Sequence, residues 1–326
     1  MGIHFTKEEF KERQSRVIEE LKNQGLDALL IFKQESMYWL TGYDTFGFVF
    51  FQCLILTVKG DLVLLTRAPD LRQAQNTSII NDIRIWVDKN GSNPSDDLKN
   101  ILAELGLEKL KLGIEYDSYG LTGRNAIKLN NSLKNFANLQ DTSELVSNFR
   151  VVKSPAEIKY VERAAQLADN AMEAAWMYAH AGVNESKILA EMQGAIFNGG
   201  GDYPANEFII GSGNNALLCR YQSEKRDLDK IDQLSIEWAG TYKHYHSAMF
   251  RTIPIGKAND KQKKMYDACV ESLKACEDKL KPRSTAGQIF DTHAKTFDKL
   301  GYKNSRMNAC GYSLGALFAP NWMDWP

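Results

Sequence analysis

The chain has 326 residues, with 40 Lys and Arg set against 41 Asp and Glu, a formal net charge of −1. That length allows two domains and a large core, and the balanced charge argues against nucleic acid or an anionic membrane as the main partner. No apolar run reaches the length of a membrane span, and the opening MGIHFTKEEF lacks the apolar segment of a signal peptide.

Thr6 and Glu9 read as a capping box that opens a helix through Lys22, with Phe10, Val17, Ile18 and Leu21 on one stripe and Gly25 at its end. A buried strand follows at Ala28–Phe32, then an aromatic segment from Met37 to Tyr43. Further strands fit Phe48–Thr57, Leu62–Thr66, Ile83–Val87 and Lys111–Glu115, with a helix at Ser95–Leu105. Alternating helices and strands make residues 1–150 an α/β domain.

The boundary falls near Val151–Pro155. Ser154-Pro155-Ala156-Glu157 combines a cap, a Pro at the first helical position and a capping-box Glu, and the helix it opens runs to about Tyr178. Ala164, Ala165, Ala168, Ala171 and Ala174 suit it to close packing. A second helix starts at Asn184 and stops at Gly199-Gly200-Gly201, a bend before Asp202-Tyr203-Pro204 that lacks the Lys-Ser/Thr of a phosphate loop. Strands are expected near Phe208–Ile210 and Leu217–Tyr221, and helices at Asp260–Leu280 and Ala286–Leu300. Cys53, Cys219, Cys269, Cys276 and Cys310 are scattered and odd in number, which suggests neither disulfides nor structural zinc and fits a reducing cytoplasm; Cys269 and Cys276 read as core.

The chemistry concentrates between Ile231 and Gly256. Strand-like runs at Leu234–Trp238 and Tyr245–Ile255 flank Ala239-Gly240-Thr241, which reads as the turn. Glu237 sits between Ile236 and Trp238, where an ionised carboxylate is costly without a partner. His246 is expected within its reach across the hairpin, a minimal acid–base pair. Arg220 can clamp a substrate carboxylate or pair with Glu237, and both roles are open.

The same stretch resembles the metal-binding hairpin of the creatinase/prolidase/methionine-aminopeptidase superfamily, with Ala239-Gly240 and Arg251-Thr252 as its framework. K-S-P-A-E-I at Lys153–Ile158 resembles the start of that superfamily's catalytic domain. The resemblance implies an α/β N-terminal domain followed by an α+β pita-bread domain over residues 151–326, without the last C-terminal strands and the acidic ligands they carry. At the metal positions it implies, Glu237 stands for the first Asp, Ala248 for the second, and Tyr312 and Ala319 for two His, so no metal and no cofactor is expected.

Among the branches, the chain looks closest to the metal-independent bacterial ectoine hydrolases. It shares with them W-L-T-G-Y-D (Trp39–Asp44), G-D-Y-P-A (Gly201–Ala205), E-x-A-G-x-Y-K-x-Y-H (Glu237–His246) and G-Y-x-x-G-x-x-x-x-P-x-W (Gly311–Trp322). It departs from them at Ala248-Met249-Phe250 and Asn321-Trp322-Met323-Asp324. The implied activity is hydrolysis of a non-peptide C–N bond in a small zwitterionic compound. Glu237 and His246 are then catalytic, and Arg220, Tyr221, Trp238, Tyr312, Asp202 and Tyr203 line the substrate site. Creatinase-like action on another osmolyte or guanidino compound, a non-catalytic binding protein and an Xaa-Pro peptidase are the alternatives. A cytoplasmic homodimer is expected, with the aromatic Tyr38–Phe51 segment near the partner's site.

Overall fold

The structure, a computed structural model, describes residues 2–324. The expected aromatic terminus Trp325-Pro326 lies outside the described residues. The chain forms two compact units. The first runs to Lys159 and includes Gly315–Phe318; the second takes Tyr160–Leu314 and resumes at Ala319.

The first unit is built on a six-stranded sheet: β1 (Ala28–Ile31), β2 (Cys53–Thr57), β3 (Leu62–Arg67), β4 (Asp82–Trp86), β5 (Lys111–Ile114) and β6 (Asn138–Asp141). Its order is β4-β3-β2-β1-β5-β6. β2 runs antiparallel to both neighbours and the other pairs are parallel. β1, β2 and most of β3 read as unbroken apolar runs because both faces are covered, while the edge strands β4 and β6 carry polar residues. Leu30, Ile55, Leu65 and Ile114 enter one buried cluster, while Leu29, Ile31, Leu54 and Leu64 enter the other. The aromatic segment forms a helix, Gln34–Thr41, ended by Gly42 at φ 82°. Tyr38, Trp39, Tyr43, Phe48 and Phe51 are buried within the unit, and only Phe46, Val49 and Phe50 are exposed. Phe318 stacks edge-on against Tyr38 and Phe48, and its backbone N–H donates to Glu35 at 3.1 Å. The capping box at Thr6 is half made: Thr6 accepts from the Glu9 N–H, but the Glu9 carboxylate accepts from Arg13 and Ser154.

Glu115 is fully buried at the end of β5 and takes the place of a missing cap on the Gln34–Thr41 helix. It accepts from the Phe32 and Lys33 backbone N–H groups at 3.1 and 2.9 Å and from the Ser36 hydroxyl at 2.6 Å. Burial pushes its carboxyl up from 4.5 to about 7, against those donors and the Lys33 charge, which pull it down. The folded value lies above the unfolded one. Its stabilising contribution is therefore complete below 4.5 and lost as pH rises through about 7. A Glu115→Gln variant keeps an acceptor for the two N–H groups and removes the ionisation. Relative to it, the parent is expected to lose about 3 kcal/mol across that window. Unfolding free energies of the two proteins that run parallel between these pH values would refute this.

The second unit carries the hairpin. Its long helix, Pro155–Tyr178, begins within the first unit, where Ser154 and Glu157 form the expected capping box. A three-stranded antiparallel sheet, β7 (Ile209–Ser212), β8 (Asp232–Tyr242) and β9 (Tyr245–Ile255), has the order β7-β8-β9. The turn is not at Ala239-Gly240-Thr241. β8 continues through those residues, and the chain reverses at Lys243-His244, both left-handed at φ 49° and 65°. Two successive left-handed residues make the reversal whose twist matches that of the strands. Asp202 braces it by accepting from the Lys243 N–H at 2.5 Å, while its own N–H donates to the Thr241 carbonyl at 2.9 Å.

Gly240 is present for a different reason: a Cβ there would run into the Ala164 carbonyl and the Ala168 amide of the long helix. The expected strand at Leu217–Tyr221 is absent. A short 3-10 turn, Gly213–Leu217, leads into loop, where Leu217, Leu218 and Tyr221 are exposed and cannot supply the buried face of a strand. Helices Asp260–Lys279 and Ala286–Lys299 follow, each opened by a complete capping box. Cys269 is exposed and Cys276 only half-buried, so neither is core.

Candidate active site

Side chains alternate across β8, so Glu237, Ala239 and Thr241 share one face and Trp238 and Gly240 the other. The Trp238 face packs on the long helix. Its indole is fully buried and donates from Nε1 to the Ala168 carbonyl at 2.9 Å. Trp238 is therefore a core anchor and lines no site, and burying such a ring stabilises by roughly 3 kcal/mol. It holds β8 to the helix from behind and presents Glu237 on the far side, half-buried.

On that side the Glu237 carboxylate meets Tyr312. The phenol donates to Glu237 Oε1 at 3.0 Å, and the Tyr312 oxygen in turn accepts from the Trp322 indole Nε1–H at 2.9 Å. Burial, and after it the Glu237 charge, push the Tyr312 phenol up to about 12; the Trp322 donor pulls the other way. Tyr312 is thus a neutral hydroxyl at ordinary pH, donating to a carboxylate. Trp322 itself is buried, and a buried indole N–H needs an acceptor. That requirement was the available sequence signal for a residue known there only as a motif position.

His246 does not join this pair. It is opposite Thr241, whereas Glu237 is opposite Phe250. Both lie on one face, but four residues of strand separate their rungs, roughly 13 Å. His246 is fully buried, and its Nε2 accepts from the Ala205 backbone N–H at 2.9 Å, so it ties the Gly201–Ala205 bend to the hairpin. Asp202 is engaged at the hairpin turn as described. Tyr203 is exposed and packs edge-on against Phe197 at 4.9 Å. Arg220 lies in exposed loop and donates to the Cys219 carbonyl at 2.6 Å; Tyr221 is exposed under Lys225. Among the described residues, neither Arg220 nor Tyr221 bonds to Glu237, so the structural ion pair of Arg220 with Glu237 is not formed. Phe250, the cross-strand partner of Glu237, lines an open cleft of about 470 Å³ together with Met265, His293, Phe297 and Cys310.

An α/β unit followed in sequence by this hairpin-on-helix unit, with a half-buried carboxylate on the face of β8 away from the helix, is the two-domain arrangement of the creatinase/prolidase group, whose second domain has the pita-bread fold. The chain belongs to metallopeptidase family M24: residues 159–322 match that family, and residues 13–152 match the creatinase/prolidase N-terminal domain. The ectoine hydrolase of Halomonas elongata is 27% identical over 340 residues, covering 99% of this chain and 84% of that protein. An Xaa-Pro dipeptidase of Pyrococcus horikoshii is 26% identical, covering 93% of this chain and 81% of that protein. Among solved structures, an Xaa-Pro dipeptidase from Bacillus anthracis superposes with a TM-score of 0.81 at 22% identity, over 97% of this chain and 85% of that one.

The family's name implies metal, and the residues at the matching positions do not fit one. Ala248 and Ala319 offer no donor atom, and Tyr312 offers a neutral phenol whose hydrogen points at Glu237. Of these four positions only Glu237 offers a metal-ligating carboxylate, and among the described residues no three His, Cys, Asp or Glu gather as a metal site.

Proposed function

We propose that this M24 hydrolase opens a non-peptide C–N bond in a small zwitterionic amidine, ectoine being the model substrate, without a metal ion. The observation that carries the reading is the Tyr312 hydroxyl seated on Glu237. A phenol O–H satisfies one lone pair of the carboxylate but leaves its negative charge uncompensated. A cationic amidinium supplies the missing charge. The Glu237 carboxylate then orients the amidinium and takes a proton from the attacking water as the water oxygen bonds to the amidine carbon. The C–N bond to one ring nitrogen breaks, and the proton passes back to that nitrogen. Arg220, exposed and free of any ion pair among the described residues, is offered to the substrate carboxylate. The 27% identity to an ectoine hydrolase supports this reading. The comparable 26% identity to an Xaa-Pro dipeptidase favours the peptidase alternative.

The two separate in one experiment. Protein stripped with chelator is incubated with a panel of osmolytes, including ectoine and creatine, and with Xaa-Pro dipeptides, and products are read by mass spectrometry. We expect ring-opened ectoine, unaffected by chelator, from protein that elemental analysis finds without stoichiometric Mn, Zn, Co or Fe. Dipeptide cleavage that appears only with added metal would overturn the reading.

The active form is proposed to be a homodimer in the cytoplasm, with exposed Phe46, Val49 and Phe50 of the first unit in the interface. Scattering at micromolar concentration is expected to give twice the chain mass, and Phe50→Glu to halve it.

A further inference from the structure

We infer that Trp322 is a positioning residue whose indole N–H fixes the direction of the Tyr312 proton, committing the phenol to donate to Glu237. The inference rests on the functional reading of Glu237 given above.

A phenol oxygen can both donate one hydrogen and accept others, so a hydroxyl near a carboxylate can rotate away toward any competing acceptor. The Trp322 N–H can only donate. Set at 2.9 Å from the Tyr312 oxygen, it occupies the accepting side of that atom and leaves Glu237 Oε1, at 3.0 Å, as the place for the phenol hydrogen. The order of donation is therefore one-way: indole to phenol to carboxylate. Trp322 is buried, so water does not compete for its hydrogen, whereas Glu237 and Tyr312 are half-buried and reachable.

The arrangement has a chemical consequence for the reacting pair. When Glu237 gains a proton from water, Tyr312 still donates to its Oε1, so the carboxyl keeps one orientation while it returns that proton to the departing nitrogen. Trp322 touches no substrate in this scheme and acts only through Tyr312. A phenylalanine at 322 would preserve the ring and its packing and remove only the hydrogen.

The test reads Tyr312 directly and needs no substrate. With Tyr312→meta-fluorotyrosine in the full chain, fluorine NMR follows the ionisation of that one phenol at a pH the fold survives. Adding Trp322→Phe is expected to raise its midpoint, because the phenolate loses a donor. Adding Glu237→Gln instead is expected to lower it, because a neighbouring negative charge is gone. A midpoint that stays in place on Trp322→Phe overturns the inference. On ectoine, Trp322→Phe is expected to lower kcat about tenfold, the worth of one hydrogen bond that orients the Tyr312 donor, with KM held within about twofold. A parent protein that leaves ectoine untouched would end the proposed function, and the NMR midpoint would still decide the role of Trp322.

Discussion

Glu237→Gln is expected to keep the fold and lower turnover by roughly a hundredfold or more, the usual loss for a positioned acid–base group. The structure separates the two reasons a carboxylate could stand there. If Glu237 served to neutralise Arg220, the glutamine would strand a cation and unfold the hairpin. Arg220 instead lies in exposed loop and turns to its neighbour's carbonyl. The contact that Glu237 does make, with the Tyr312 hydroxyl, is one a glutamine oxygen can still accept. Stability should therefore change by less than about 1 kcal/mol, while the charge proposed to draw an amidinium and the basicity proposed to take a proton both vanish. Thermal unfolding and steady-state rates on the same preparation check the two halves separately. A folded variant working at near the parental rate would remove Glu237 from the mechanism.

Gly240→Ala is expected to be the most damaging small change in the second unit, costing about 3 kcal/mol or more. The added methyl would press on backbone atoms of the long helix at Ala164 and Ala168, and a helix backbone cannot swing aside as a side chain can. Relief requires β8 to lift off the helix. That motion would also pull the Trp238 Nε1–H from the Ala168 carbonyl and displace Glu237, three residues away. Chemical denaturation should show the loss, and any folded remainder should bind substrate poorly. A variant as stable as the parent would mean that the strand and helix are not held as closely as described.

Gly240 also shows where sequence patterning ends. Ala239-Gly240-Thr241 reads as a turn because glycine punctuates most strands, yet here glycine serves the close approach of strand and helix. The true turn, Lys243-His244, contains no glycine or asparagine and carries no local signal; Asp202, remote in sequence, braces it. Moving the turn changes which residues oppose one another, and that is why His246, expected beside Glu237, belongs four residues further along. The apolar runs and the Ser154 capping box were legible because their causes are local: Ser154 and Glu157 need only each other, whereas at Thr6 the Glu9 carboxylate is drawn off by Arg13 and Ser154. Glu237 and Tyr312 were legible one at a time. Their hydrogen bond, and the Trp322 donor behind it, depend on chain segments 75 and 10 residues apart that only the folded chain brings together.

The register of the hairpin also bears on how easily this scaffold changes its chemistry. Ala248 sits on the Glu237 face, diagonal to it across the ladder, because Ala239 and not Glu237 is its direct partner. A carboxylate placed there would stand about 7 Å from Glu237 between backbones, close enough for two side chains to share one ion. The strands would not have to move, and no loop would have to be rebuilt. The distance between the proposed site, which recruits a cation from its substrate, and one that holds a cation permanently is thus a matter of side chains on a fixed frame. A library varied at Ala248, Tyr312 and Ala319 would sample the crossing on this frame.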